Sequence, residues 1–482
     1  MRIRACLFTA LAALLFPGQL FAQALSTLLP DLLLKSTTST PAVSGTVGNP
    51  HDAHFIAALG QDRAPFEINK LLVGQLSTFP IGSSSGGFVF NFDPATGLFN
   101  AASQSFGPGF AERALTNGRG RFGFGLNYQR LAFKSYEGVN LKDGSIVFVL
   151  QHNDCCAVAN NPLPDPNDPF FEGDLVKLAL SVDMKTDVIA PFVNYGINNR
   201  WDVGLVVPIV HVQLNPSITA TIDRLSTASN VLIHSWDGKG QTTKVESVSG
   251  TATGLGDIVL RTKYRFVDAP HGGIAGGIDL RLPTGDKENL LGTGAVQTKL
   301  SFIASGEYSR VAPHVNLGYT YSRGSLSSEL TTLGTSSITS AQGNATTLNQ
   351  IGAANTNLGG IDLSLPNEFN YAAGLDFAAH PLVTISADFI GRSVLDSQRF
   401  ATVSQNYQFR TSNSGPLQTA TRQTFDTTGT GNMNLLLGVV GAKVNIPGTP
   451  LLLTGSVLFP LTDGGLRPNV TPVVGVDYSF KR

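Results

Sequence analysis

The sequence predicts an all-β protein, a transmembrane antiparallel β-barrel of about 12–14 strands with long external loops and a candidate N-terminal plug. Three observations predict it. The chain opens with a secretory leader, most of its length alternates apolar and polar residues, and its connections alternate between short and long. The ending is the clearest case. In Val473–Phe480, residues Val474, Val476, Tyr478 and Phe480 share one face, and Val473, Gly475, Asp477 and Ser479 share the other. A strand with lipid on one side and a polar lumen on the other requires that pattern.

The leader has Arg2 and Arg4 as its positive start, an apolar run from Ala5 to Phe16, and small residues at Ala22 and Ala24 for cleavage. The run is short for a bilayer span and Pro17 ends it. The expected organisation is therefore a signal peptide over 1–24, an N-terminal segment over 25–118 holding a plug and the first strands, and a barrel over 119–482. Cys6 lacks the small residues that precede a lipid-modified cysteine, so a lipoprotein is not expected.

Composition supports this division. Only 14% of the 482 residues are charged, 42% are hydrophobic, and the net charge is −1. A soluble surface of this size carries more charge. No later stretch offers about 18 uninterrupted apolar residues, so no transmembrane helix is available. A near-neutral chain without a basic run argues against a nucleic-acid partner. After the leader only Cys155 and Cys156 remain. Adjacent cysteines close at most a strained vicinal ring, so no staple across the fold is encoded.

The elements follow in order. Leu25 to Phe66 has no sustained period and is broken by Pro30, Pro41, Pro50 and Pro65, and it reads as a disordered linker or as a segment folded into the barrel mouth as a plug. Strands are expected over Ile68–Phe79 and Gly87–Asp93, and Phe99–Asn117 is ambiguous. Gly120–Lys134 alternates Phe122, Phe124, Leu126 and Tyr128 with Gly123, Gly125, Asn127 and Gln129. Asp174–Lys185 sets Val176, Leu178, Leu180, Val182 and Met184 against Lys177, Ala179, Ser181 and Asp183, and the charged side is expected to face a water-filled lumen. It continues into Val188–Ile197, as one kinked strand or as a hairpin at Thr186-Asp187. Further strands are expected over Trp201–Leu214, Gly254–Phe266, Gly273–Pro283, Val296–Ser309, Pro313–Arg323, Glu368–Ala378, Val383–Arg392, Asn432–Val444, Leu451–Phe459 and Thr471–Phe480.

Short connections are expected at Asn198-Asn199, Val311-Ala312, His380-Pro381 and Pro447-Gly448. Long ones are expected over Asn215–Thr253, Gly324–Pro366 and Ser393–Gly431. A bacterial outer-membrane barrel has short periplasmic turns and long external loops, and counting back from a periplasmic C-terminus places each of these correctly.

The motifs that could carry chemistry are weak. Gly82-Ser83-Ser84-Ser85-Gly86 matches G-x-S-x-G but lies between strands, not at a strand-to-helix elbow. Gly118-Arg119-Gly120-Arg121-Phe122-Gly123 matches G-x-G-x-x-G but opens no helix. Neither His51, Asp52 and His54 nor His152, Asp154, Cys155 and Cys156 has the spacing of an established metal site. No catalytic residue, metal or cofactor is therefore assigned. The lumen is more informative. Asp257, Arg261, Lys263 and Arg265 share a face of one strand, Asp279 and Arg281 a face of the next, and Lys299 and Glu307 follow. These eight are the candidate lumen-lining residues, as braces across the wall or as a charged step for solutes.

Several segments resemble a family of outer-membrane transporters associated with the meta-cleavage pathway of phenol degradation. They are Thr253-Gly254-Leu255-Gly256-Asp257 through Tyr264-Arg265-Phe266, Asp279-Leu280-Arg281-Leu282-Pro283-Thr284-Gly285-Asp286, Tyr195-Gly196 with Trp201-Asp202-Val203-Gly204, and the Tyr478-Ser479-Phe480 ending. The similarity runs from about Gly120 to the C-terminus. That family is similar in style to the long-chain fatty-acid porins, which carry an N-terminal hatch. The resemblance implies passive uptake of small hydrophobic or aromatic compounds, with outer-membrane lipid around the barrel. Solute would be captured by external loops, pass a lumen partly closed by the N-terminal segment, and leave inward or laterally. It identifies no binding residues, and the choice between monomer and homo-oligomer stays open. Two other readings are a barrel enzyme acting on lipid, which needs a Ser/His pair on an outward face, and a surface-interaction barrel whose loops bind a partner.

Overall fold

A computed structural model describes residues 24–38, 55–57, 75, 80, 82–83, 90–93, 98–101, 103–152, 170–229, 234–237, 239–324 and 365–481. Helix α1 spans Leu25–Thr38. The early strands β1 (Phe55–Ala57), β2 (Phe90–Asp93) and β3 (Leu98–Ala101) are short. They are followed by β4 (Arg121–Tyr136), β5 (Val139–Asn140), β6 (Ile146–His152), β7 (Leu175–Gly196), β8 (Trp201–Val206) and β9 (Ile209–Asp223). Next come β10 (Thr243–Ser247), β11 (Gly250–Leu255), β12 (Val259–Ala269), β13 (Gly272–Arg281), β14 (Val296–Gly306), β15 (Val311–Arg323) and β16 (Glu368–His380). The chain closes with β17 (Val383–Phe409), β18 (Gln418–Asn445), β19 (Leu451–Pro460), β20 (Leu466–Pro468) and β21 (Thr471–Lys481).

Antiparallel pairing closes these strands into a ring. β4 pairs with β7, and β7 pairs with the interrupted stave β8–β9. That stave pairs with β10, β11 and β12, which form the next. β13 to β19 then follow one another, and β21 joins β19 to β4. Counting β8–β9 and β10–β12 as one stave each gives a closed antiparallel barrel of twelve staves. Closure leaves the ring without an open edge, which is what lets strands stand in lipid.

Outward positions form an apolar belt. Phe124, Leu126, Leu260, Ile278, Leu300, Phe302, Leu317, Phe389 and Val474 are all exposed. At the short-turn end the belt ends in aromatic rings, with Phe122 stacked on Phe480 at 5.5 Å and tilted against Tyr195 at 4.5 Å. An arginine at the belt's midplane would cost about 2–4 kcal/mol. Leu300→Arg is therefore expected to lower the refolding free energy in lipid vesicles by about that amount. Ser217→Arg, which faces water on the upper half of β9, is expected to leave it unchanged, as urea titrations of both variants would test.

One row of cross-strand partners ends the belt. Tyr128 pairs with Ile189, Ile189 with Ile209, and Ile209 with Leu255. The next row up is polar: Arg130 opposite Asp187, Asp187 opposite His211, and His211 opposite Thr253. Tyr128 donates to Asp187 at 2.7 Å, and Arg130 lies 3.7 Å from the same carboxylate. Above this row the faces exchange character. On β7, Val176, Leu178, Leu180, Val182 and Met184 are buried inward, while Lys177, Ser181 and Asp183 face out. Asp183 binds Lys142 and Lys185 on the outside. The expectation that the charged face of Asp174–Lys185 lines a lumen is thus reversed. Where water lies outside the wall, the strand buries its apolar face inward instead.

Helix α1 fills that upper chamber. Leu25, Leu28, Leu29, Leu32 and Leu33 recur at helical spacing and are buried in one core with Val212, Leu214, Ile218 and Phe425. This corrects the reading of Leu25–Phe66 as lacking a period. Pro30 lies in the helix without ending it.

Other expectations also change. Asp174–Ile197 is a single strand, not a hairpin. The expected loop Ser393–Gly431 is mostly the long hairpin β17–β18, whose Arg399 pairs with Glu137 at 2.7 Å and whose Arg422 pairs with Asp223 at 2.5 Å. The expected loop over Asn215–Thr253 carries the end of β9, β10 and part of β11. The turn assigned to Val311-Ala312 lies at 307–310. Most of Ile68–Phe79, most of Gly324–Pro366, the leader, and the candidate metal residues His51, Asp52, His54, Asp154, Cys155 and Cys156 fall outside the described residues.

Candidate functional site: the luminal cavity

Below the apolar chamber, the belt-level lumen holds a cavity of about 280 Å³. Its wall is built from inward positions that strand register sets side by side. Arg261 opposes Asp279, Asp279 opposes Lys299, Lys299 opposes Thr320, and Thr320 opposes Glu368. In the row beneath, Gly277, Ser301 and Gly318 oppose one another and leave the hollow. Period-two alternation puts these side chains in the lumen because Leu260, Ile278, Leu300 and Tyr319 occupy the lipid side.

The segment 103–117 forms the floor. It runs inside the barrel and is tied to the wall by inward side chains. Phe106 N donates to Thr384 Oγ1 at 2.9 Å, Glu112 N to Asn316 Oδ1 at 2.7 Å, Ala114 N to Ser305 Oγ at 3.0 Å, and Asn117 N to Asp202 Oδ2 at 2.8 Å. Lys443 Nζ donates to Pro108 O at 3.0 Å. Arg113 is fully buried; it donates to Ser103 Oγ and Ser105 Oγ and lies 3.6 Å from Glu307. Gly107, at φ +75°, makes room for it, since a Cβ there would meet the guanidinium at 2.6 Å.

The eight sequence-predicted residues divide accordingly. Arg261, Lys263, Asp279, Arg281 and Lys299 line the cavity. Arg261 Nε lies 3.4 Å from Asp279, and Lys263 Nζ lies 3.2 Å from Glu112. Asp257 does not face the cavity. It accepts from Gly285 N, Thr293 N and Thr293 Oγ1 and so holds the 282–295 loop. Arg265 lies toward the short-turn end, bonded to Gly272 O and 2.8 Å from Asp268. Glu307 accepts from Ser103 Oγ at 2.8 Å and anchors the floor.

Sequence reasoning missed Glu112, Arg113, Glu368, Arg392 and Arg467. Glu368 and Arg392, paired at 3.0 Å, were readable from strand parity. Glu112 and Arg113 carried no signal, because an extended segment inside a barrel has no lipid side to give it a period.

The chain matches no protein-family model and no curated protein. Among solved structures it is similar to an outer-membrane channel from Pseudomonas putida F1, at 10% identity and a TM-score of 0.37 over 76% of this chain and 98% of that one. A FadL homologue from Pseudomonas aeruginosa gives 13% identity and a TM-score of 0.30, covering 83% and 97%. The Ralstonia pickettii toluene transporter TbuX gives 11% identity and a TM-score of 0.25, covering 84% and 99%. Likeness at this level carries no argument about what this chain passes. The barrel rests on its own closed ring and apolar belt.

Proposed function

We propose that this chain is an outer-membrane channel for passive uptake of small hydrophobic or aromatic compounds. The observation that carries the reading is the cavity itself, a hollow at the level of the apolar belt with a polar floor above the short-turn end. On its β4 and β18 side it is faced by Leu131, Phe133, Leu435 and Leu437, which offer an apolar ring a surface. The route would run from the long-loop end, through the cavity, and past the 103–117 floor when its hydrogen bonds open. In this reading the 103–117 floor, and not Leu25–Phe66, takes the part of the plug, and the leader directs export. The link to phenol degradation rests on the sequence resemblance.

The lipid-enzyme reading needs a Ser/His pair on an outward face; the outward His211 has a threonine instead, its Nδ1 2.6 Å from Thr253 Oγ1, and a second His–Asp–hydroxyl group lies inside. Asp174 accepts from His234 Nδ1 at 2.7 Å and from Thr227 Oγ1 at 2.5 Å, but all three side chains are sealed from solvent and tie the 226–234 loop to β7. The test is solute entry into liposomes carrying the refolded chain, with an aromatic acid, a fatty acid and a sugar of similar size. Selective entry of the apolar solutes is expected. Equal entry of all three would make the barrel a general porin, and entry of none would remove the channel reading.

A further inference from the structure

The cavity is not neutral. Six basic side chains line it: Arg261, Lys263, Arg281, Lys299, Arg392 and Arg467. The described acids on its wall are four, Glu112, Asp202, Asp279 and Glu368. Those acids are largely committed. Glu112 meets Lys263, Asp279 meets Arg261, Glu368 meets Arg392, and Asp202 accepts from Asn117. Two cations, Arg467 and Lys299, make no ion pair among the described residues. Arg467 donates to Asn434 O and Thr462 Oγ1. Lys299 stands opposite Asp279 and Thr320, its stem packed over Gly318, and makes no ion pair among the described residues.

We infer that the cavity selects solutes that carry a carboxylate on an apolar or aromatic body, with Lys299 and Arg467 drawing the carboxylate and the β4–β18 face taking the ring. This rests on the channel reading and narrows its substrate class to the anion. The physical reasons are two. A carboxylate leaving water needs charged donors to replace its hydration, and ammonium and guanidinium groups supply the strongest of these. A surplus of positive charge in a low-dielectric hollow also raises the local concentration of anions. A hollow of about 280 Å³ lies at the small end of ligand pockets, which suits a single ring.

The experiment measures binding by calorimetry to the refolded full chain with three probes of matched size: benzoate, benzyl alcohol and benzylammonium. Benzoate is expected to bind about tenfold tighter than benzyl alcohol, with benzylammonium weakest. In K299Q/R467Q, and to a smaller degree in K299Q alone, benzoate is expected to fall to the level of the alcohol, whose own binding is unchanged. Equal binding of benzoate and benzyl alcohol to the natural chain would overturn the inference and leave the channel reading standing. Binding of none of the three, together with no aromatic entry into liposomes, would overturn both.

Discussion

A chain that begins at Gly118 is expected to form an open pore. The twelve staves close through β4, β21 and their neighbours without help from residues before Gly118, so the barrel keeps its ladder. What is lost is the floor, with its hydrogen bonds to Thr384, Asn316, Ser305 and Asp202, and helix α1 from the upper chamber. Barrels of about eight strands are filled by their own side chains, and those of about 16–18 hold an aqueous channel. Twelve staves lie between, and here the lumen is closed by added chain and not by the wall alone. In planar bilayers the shortened protein should give steady conductance steps at least about tenfold larger than any from the full chain. Equal conductance from both would mean that the wall side chains themselves close the lumen.

Arg113→Ala is expected to free the floor without removing it. The guanidinium is buried among Ser103, Ser105 and Glu307, and its loss leaves the Glu307 carboxylate without that cation. Breaking a buried pair by removing one partner costs about 3–5 kcal/mol. The barrel ladder does not depend on the pair, so the cost should fall on the 103–117 segment. Hydrogen exchange should show the amides of Phe106, Glu112 and Ala114 losing about a hundredfold or more in protection. Amides of β13 and β14 should be unchanged. A uniform loss across the barrel would instead make Arg113 a stabiliser of the whole fold.

The belt-level staves were legible in the sequence because lipid and lumen impose opposite chemistry on alternate residues. Phe124 against Gly125 and Leu300 against Lys299 are read directly from that rule. Three features were not legible, each for a physical reason. Above the Tyr128–Ile189–Ile209 row the alternation persists but its meaning inverts, and nothing local in Val176–Met184 tells an inward apolar face from an outward one. The stripe Leu25, Leu28, Leu29, Leu32 and Leu33 was present, but Pro30 was given the weight of a helix breaker that its position inside a packed helix does not bear out. The β17–β18 hairpin beyond Arg392 does carry an inward row of Ala401, Val403, Tyr407 and Phe409, but its exposed face of Thr402, Ser404, Asn406 and Gln408, which meets water above the belt, gave it the composition of a loop. Its strands are set by backbone pairing and Thr-rich composition. Five of the eight candidate charges reached the cavity by parity alone, whereas Asp257 and Glu307, just beyond strand ends, were taken up by the 282–295 loop and by the floor, and Arg265 by Gly272 O and Asp268 near the short turn.

In the proposed route, solute crosses the lumen past the 103–117 floor. Ala114 N lies 3.0 Å from Ser305 Oγ, so A114C and S305C, in a C155S/C156S background, put two thiols on neighbouring floor and wall positions, and their disulfide is first verified by mass spectrometry. The deciding measurement is benzoate entry into liposomes carrying this protein, oxidised and then reduced. The prediction is entry at the protein-free rate when oxidised, and recovery of the unlocked rate on reduction. Undiminished entry through the oxidised protein would contradict it.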